Sequence, residues 1–157
     1  MANESGLLKT AREMDALLSE VILLQRDYVE KLCPSCENPC CKRVRYLFDE
    51  KDLIFARVSG QESVPKKKHK GKEGCPFLSA TGCLLPPKAR PFTCHRYLCD
   101  KLKEEMDNVE PDLVKRLTEK IRTLEMLRVE LWKEYLKVQA GPGRNLLVHV
   151  GGLRERR

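Results

Sequence analysis

Eight cysteines are the residues best suited to chemistry in this chain of 157 residues. All of them fall within residues 33–99, at Cys33, Cys36, Cys40, Cys41, Cys75, Cys83, Cys94 and Cys99. A Cys-x2-Cys pair places two thiolates on one tight turn, where both can reach a single ion at about 2.3 Å. Four plus four cysteines match two tetrahedral thiolate sites, or one iron–sulfur cluster with spare thiols. We therefore expect these cysteines to ligate zinc or iron, the latter including a [4Fe–4S] cluster.

The spacing of the cysteines leaves the identity of the metal open. It matches neither ferredoxin pattern, and it lacks the repeated Cys-x2-Cys pairs of a zinc ribbon. Neighbouring side chains leave an extended backbone in opposite directions, so we predict that Cys40 and Cys41 serve different sites or that one is a buried structural thiol. The alternative to metal ligation is that the eight cysteines are scattered buried thiols.

Excess positive charge coincides with the cysteines. The whole chain carries +7, and residues 33–99 hold 13 basic and 6 acidic side chains, whereas the flanking segments carry −2 and +2. Nearby cations lower the pKa of a thiol and so favour the thiolate. We interpret Arg90 and Arg96 as candidate counter-charges, and His95 as an alternative ligand or a hydrogen-bond partner of a ligating sulfur.

A Lys-rich stretch at residues 66–72, KKKHKGK, lies apart from the cysteines along the chain. It suits an interaction with nucleic acid or an acidic protein through phosphate or carboxylate groups. No aromatic residues interleave it, and no helix-turn-helix signature accompanies it, so a solvated loop is the other interpretation.

The chain shows no targeting or membrane signal. Acidic residues interrupt the apolar positions near the N-terminus, and no stretch approaches the roughly 20 apolar residues of a membrane span. We expect a soluble cytoplasmic protein without a membrane partner. Because disulfides are rare in that reducing compartment, metal or redox chemistry is favoured over a disulfide framework.

Two long amphipathic helices must position the cysteine segment. In residues 1–32 the apolar side chains recur every three or four positions, interrupted at Gln25, with Ser5 as a candidate N-cap. The apolar positions are Leu7, Ala11, Met14, Leu18, Val21, Tyr28 and Leu32. A second stripe follows Pro111, which suits the first helical turn, and ends at Gly141. Its members are Val114, Leu117, Ile121, Leu124, Leu127, Leu131, Tyr135 and Val138. The stripes could pack on each other or form an oligomer interface.

The cysteine segment itself is predicted to be rich in loops. Asp49 can cap a helix over residues 50–58 that ends at Gly60, after a candidate strand at residues 44–48. Prolines and glycines exclude long elements from residues 75–99, and a candidate edge strand at 146–150 precedes a basic tail. The sequence thus predicts a mainly α, single-domain protein: an N-terminal helix (1–32), a metal-binding core (33–99), C-terminal helices (100–140) and a tail (141–157).

The cysteine motifs resemble those of the YkgJ-type cysteine-cluster family, described as a zinc- or iron-chelating domain. The resemblance covers about residues 33–99 and is carried by CPSCENPCC, GCPFL and GCLLPPKARPFTCHRYLC. It implies that all eight cysteines are metal ligands and places the family's Arg-Pro step at Arg90 and Pro91. His95 stands where family members often have arginine.

The same family is similar to part of the flagellin lysine methylases. That relation implies a further alternative, an accessory domain of a radical or methyl-transfer enzyme. No methyl-donor site, catalytic triad or phosphate-binding loop can be traced in the sequence. We therefore expect no independent catalytic activity.

Overall fold

The protein is mainly helical, and its two long helices pack against each other. The computed structural model describes residues 2–42, 48–60 and 74–141. The described elements run in the order α1 (Ala2–Leu32), α2 (Glu50–Val58), β1 (Leu78–Ser79), β2 (Gly82–Cys83), α3 (Phe92–Arg96), α4 (Asp100–Val109) and α5 (Leu113–Gln139). Two 3₁₀ turns lie at Cys40–Lys42 and Pro87–Ala89. The predicted fold class is confirmed.

The apolar stripes of α1 and α5 form the core between them. On α1 the residues Leu7, Ala11, Met14, Leu18 and Val21 are buried, and on α5 the core includes Leu117, Ile121, Leu124 and Leu131. A spacing of three and four residues keeps these side chains on one face of each helix, which is why the periodicity predicted the packing.

The remaining helices close over this pair. Ile54 and Phe55 of α2 and Leu102 and Met106 of α4 join the same core cluster. Asp49 caps α2 as predicted, through a capping box with Asp52. No helix in the described part of the chain has both the length and the apolar character needed to cross a membrane.

Several helix ends differ from the sequence expectations. The helix α1 begins at Ala2, so Ser5 lies within it and is not its N-cap. Pro111 precedes α5 in the link from α4, and Asp112, with φ 66°, is the N-cap. Asp tolerates the left-handed region better than most residues, which lets the chain turn sharply there.

Four predictions fall outside the described residues. They are the candidate strand at residues 44–48, of which 44–47 are not described, the candidate strand at 146–150, the Lys-rich stretch at 66–72 and the basic tail. These stay predictions.

Candidate metal centre

The eight cysteines are all described, and none of them forms a disulfide. Cys33 follows the last turn of α1, where its amide donates to the carbonyl of Val29 at 3.0 Å. The amide of Cys36 donates to the carbonyl of Cys33 at 3.3 Å, closing a tight turn. This is the turn expected of a Cys-x2-Cys pair, with both side chains on one short segment.

Cys40 and Cys41 lie in a 3₁₀ turn. The expectation of opposite side-chain directions was therefore wrong, because it assumed an extended backbone, whereas successive side chains of a 3₁₀ helix diverge by about one third of a turn. The thiols are close enough to hydrogen-bond each other, and this contact raises the pKa of Cys41, followed by burial and by the neighbouring Cys75 and Cys94.

A short hairpin carries the next two cysteines. The strands β1 and β2 are antiparallel, and Leu78 pairs with Cys83. The amide of Leu78 donates to the carbonyl of Cys75 at 3.2 Å, so Cys75 opens the turn that leads into this hairpin. The backbone geometry thus keeps Cys75 and Cys83 on the same small unit.

The hairpin is attached to the double cysteine through the backbone. The amide of Cys75 donates to the carbonyl of Cys41 at 2.7 Å. Gly74, with φ +92°, allows this approach, since a Cβ there would stand 2.7 Å from the oxygen of Cys41 and 2.8 Å from Cα of Lys42. Sequence reasoning missed this glycine, and only its place just before a cysteine could have pointed to it.

The last two cysteines flank a short helix. Cys94 lies in α3, and its amide donates to the carbonyl of Pro91 at 2.9 Å. Cys99 is the N-cap residue of α4, and its carbonyl accepts from the amide of Lys103 at 3.0 Å. Both thiols are half-buried.

The pKa shifts of the thiols show which cysteines are neighbours. Burial raises the pKa of Cys33, and Cys40, Cys99 and Cys36 raise it further, because a second thiolate would repel the first. Each of the eight thiols is thus near enough to at least one other to influence a pKa.

The later cysteines influence one another in the same way. Burial raises the pKa of Cys94 to about 12, with further contributions from Cys83 and Cys75. The pKa of Cys75 is raised by burial first, and Cys83 adds to the increase. These thiols stay protonated at neutral pH, so a metal ion that bound them would have to displace their protons.

Arg90 lies near thiols from both parts of the cysteine segment. Its positive charge lowers the pKa of Cys33 and of Cys94, in each case opposing the larger effect of burial. Its Nε donates to the carbonyl of Leu85 at 3.1 Å, which holds the guanidinium in place. Arg96 instead forms an ion pair with Glu125 of α5 at 3.4 Å.

His95 is buried and neutral. Burial lowers its pKa to about 4, and Arg90 contributes, while its hydrogen bonds with the backbone of Pro87 and Arg90 act in the opposite direction. Among residues 2–42, 48–60 and 74–141, no group hydrogen-bonds to its Nε2. Two clefts border the imidazole, and the described residues that line them include side chains of α1 but no cysteine. The predicted role of His95 toward a ligating sulfur stays a prediction.

Gln25 explains the interruption in the apolar stripe of α1. Its side chain is buried, and Nε2 donates to the carbonyl of His95 at 2.9 Å. The bond ties α1 to α3 directly beside Cys94. A polar residue at a core position of an amphipathic helix is a signal that could have pointed to a buried partner, without identifying it.

An ion-pair network centred on the buried Arg128 connects α3 to α2 and α5, and sequence reasoning missed it. Arg128 of α5 binds the carboxylates of Asp49, at 2.6 Å, and Asp52. Its guanidinium lies 4.3 Å from the ring centroid of Phe92, whose amide donates to Asp52 at 3.1 Å. Arg128 continues the core spacing of Leu117, Ile121, Leu124 and Leu131, which is the signal that could have revealed it.

The cysteine thiols are the kind of donor that suits a metal with a preference for sulfur, but they are not gathered into a ligand set in this structure. Across residues 2–42, 48–60 and 74–141, no three His, Cys, Asp or Glu side chains are arranged to hold an ion. The thiols approach one another in pairs and small groups, with a cationic Arg90 beside them. Free thiols suit zinc and iron, so by chemical type the residues fit either metal.

Comparisons with protein-family models, with curated proteins and with solved structures find no match to this chain.

Proposed function

We propose that this protein binds zinc or iron through its clustered cysteine thiolates. The observation that carries the proposal is the approach of thiols that form no disulfide, with the amide of Cys75 donating to the carbonyl of Cys41 at 2.7 Å and thiols from every part of the segment raising one another's pKa. They come from segments that are distant along the chain but adjacent in the fold. The resemblance of the cysteine motifs to the YkgJ-type family supports the same function.

The role of the metal is structural in this proposal. No residue from 33 to 42 is buried, and from 74 to 90 the one buried residue is Leu85. These segments therefore gain little stability from the hydrophobic effect, and four thiolates per ion would supply it. A site closed by four protein ligands leaves no coordination position for a substrate. The proposed function therefore includes no catalytic activity.

A reducing compartment such as the cytoplasm suits this function. Cys33 and Cys83 are exposed, and exposed thiols persist in the reduced state where glutathione and thioredoxin act. Iron in a cluster would add a redox role, whereas zinc would not.

Anaerobic purification followed by elemental analysis and a visible spectrum tests the proposal. Colourless protein with about two zinc ions per chain, or brown protein with iron and sulfide, would support it and identify the metal. A Cys36→Ser, Cys94→Ser double variant should lose most of the metal, with Ser35→Ala, Thr93→Ala as the matched control. Metal-free wild-type protein that is fully folded would refute the proposal.

A further inference from the structure

A hydrogen-bonded turn joins Cys33 to Cys36 at the end of α1. The amide of Cys36 donates to the carbonyl of Cys33 at 3.3 Å, and Pro34 and Ser35 are the two central residues of the turn. Such a turn holds the Cα atoms of its first and fourth residues within about 7 Å of each other. Disulfides join Cα atoms that lie about 4.4–6.8 Å apart. The backbone thus brings these two cysteines to a separation that a disulfide can bridge.

The sequence favours this turn, and the turn faces solvent. The ring of Pro34 fixes φ at roughly −65°, which suits the second position of the common turns. Pro34 and Ser35 are both exposed. No neighbouring element therefore covers the pair within the described residues, and a small solute can approach it.

The two thiols differ in their access to solvent. Cys33 is exposed, Cys36 is half-buried, and neither forms a disulfide in this structure. Burial raises the pKa of Cys33 most, and Cys36 is among the thiols that raise it further, in agreement with neighbouring sulfur atoms. The exposed thiol is the one that a solute meets first, and the other stands beside it.

The double cysteine is less suited to a disulfide, although its residues are closer along the chain. Adjacent Cα atoms lie about 3.8 Å apart across a trans peptide, which is shorter than the separation that disulfides ordinarily bridge. The peptide bonds of the described residues are all trans. A bond between Cys40 and Cys41 would therefore distort the 3₁₀ turn, whereas one between Cys33 and Cys36 keeps its turn.

We propose that Cys33 and Cys36 form a reversible dithiol–disulfide site that exchanges two electrons with a low-molecular-weight disulfide of the glutathione type. In a reducing compartment, disulfides that do form are usually transient and serve redox chemistry. The inference does not rest on the proposed metal function. The oxidised pair offers no thiolate to a metal, so oxidation and metal binding exclude each other at these two residues.

The exchange takes two steps. The sulfur of Cys33, having lost its proton, attacks one sulfur of oxidised glutathione, and the disulfide bond breaks as the mixed disulfide forms. The departing glutathione thiolate takes up a proton. Cys36 then loses its proton, attacks the sulfur of Cys33 and releases the second glutathione as a thiol. Two protein thiols are oxidised, and one glutathione disulfide is reduced to two thiols.

Equilibration of the full-length chain with glutathione redox buffers tests the proposal, both as purified and after treatment with a chelator. The samples are quenched in acid, alkylated and digested after glutamate, because Glu37 separates Cys36 from Cys40 and Cys41. Mass spectrometry then identifies each disulfide. In at least one of the two samples, the bond between Cys33 and Cys36 should be the first to form as the buffer becomes more oxidising.

Two variants examine the mechanism. Cys36→Ser blocks the second step, so it should accumulate the mixed disulfide of Cys33 with glutathione, which should be scarce in the wild type. Pro34→Gly loosens the turn and should lower the equilibrium constant for the disulfide about two- to five-fold. Pro39→Gly is the matched control, because Pro39 lies in the same segment but outside this turn, and it should leave that constant unchanged.

The outcomes separate this inference from the proposed function. If other cysteines are oxidised before Cys33 and Cys36 in both samples, or if Cys36→Ser gains no glutathione on Cys33, the redox site is wrong. Metal content is measured on the same preparations. Metal-loaded protein without the disulfide in either sample overturns only the redox site, whereas folded, metal-free protein that forms the disulfide overturns only the metal proposal.

Discussion

At the scale of single residues, two positions decide how the cysteine segments are held. Arg128 is buried between two carboxylates and the ring of Phe92, so its charge connects α5 to α2 and α3. Because Gly74 has no side chain, its backbone can lie against the backbone of Cys41 and Lys42. Neither residue is a proposed metal ligand, yet both hold segments that carry the cysteines.

Replacing Arg128 should destabilise the protein strongly. Arg128→Met removes the guanidinium that binds both carboxylates and leaves the buried Asp52 without this ion pair, and we expect a loss of about 3–5 kcal/mol in the free energy of unfolding. Urea unfolding measures the loss. The control is Arg122→Met, at an exposed position of the same helix, which should change stability by less than about 0.5 kcal/mol. Equal stability of the two variants would contradict the role given to the network.

Replacing Gly74 should disturb the contact between the hairpin and the double cysteine. A Cβ in Gly74→Ala would meet the oxygen of Cys41 at 2.7 Å, so the bond from the amide of Cys75 must lengthen or break. If the proposed function holds, we expect the variant to bind less metal than the wild type by elemental analysis. Gly60→Ala is the control, because Gly60 also has positive φ but has open space around it. If Gly74→Ala and Gly60→Ala bind the same amount of metal, the close approach of Gly74 to Cys41 is not required for metal binding.

At the scale of elements, periodicity explains what the sequence could predict. The stripes of α1 and α5 repeat every three to four residues, so their helices and core faces follow from spacing alone. Their exceptions, Gln25 and Arg128, could not be interpreted without knowing which backbone or carboxylate lay opposite. The 3₁₀ turn at Cys40–Lys42 has no periodic signal, which is why the side-chain directions there were predicted wrongly.

Metal removal should separate the elements by stability. The long helices α1 and α5 bury a shared apolar core, whereas residues 33–42 and 74–90 bury almost nothing. A strong chelator under reducing conditions should therefore increase amide exchange in these two segments while α1 and α5 remain protected. Hydrogen exchange followed by mass spectrometry measures this. Unchanged exchange in both segments after metal release would show that the metal does not organise them.

At the scale of the whole molecule, a helical frame carries a thiol-rich segment that has little core of its own. The frame is built by α1, α4 and α5, and α2 and α3 attach to it through apolar contacts and the network of Arg128. Under the proposed function, the positive charge of residues 33–99 would offset the negative charge of thiolate metal sites.

Acid should weaken the attachment of α2 to α5, because Asp49 caps α2 and binds Arg128. Burial would raise the pKa of this carboxyl, but the hydrogen bond from the amide of Asp52 and the charge of Arg128 outweigh burial, so the pKa falls below its ordinary value of 3.8. The stability from this carboxylate is thus present above 3.8 and is lost as the pH falls through the lower folded-state pKa. Asp49→Asn keeps a capping oxygen without the charge. Urea unfolding at several pH values should show the difference between wild type and variant narrowing below about pH 4, and a constant difference would contradict this.

Native mass spectrometry of the intact wild-type chain, purified anaerobically, tests the central claim most directly. We predict a mass that exceeds the polypeptide by two zinc ions or by iron–sulfur cluster mass, less the displaced thiol protons, with the excess disappearing on denaturation in acid. A native mass equal to that of the polypeptide with eight free thiols, from protein that is folded, would contradict the account.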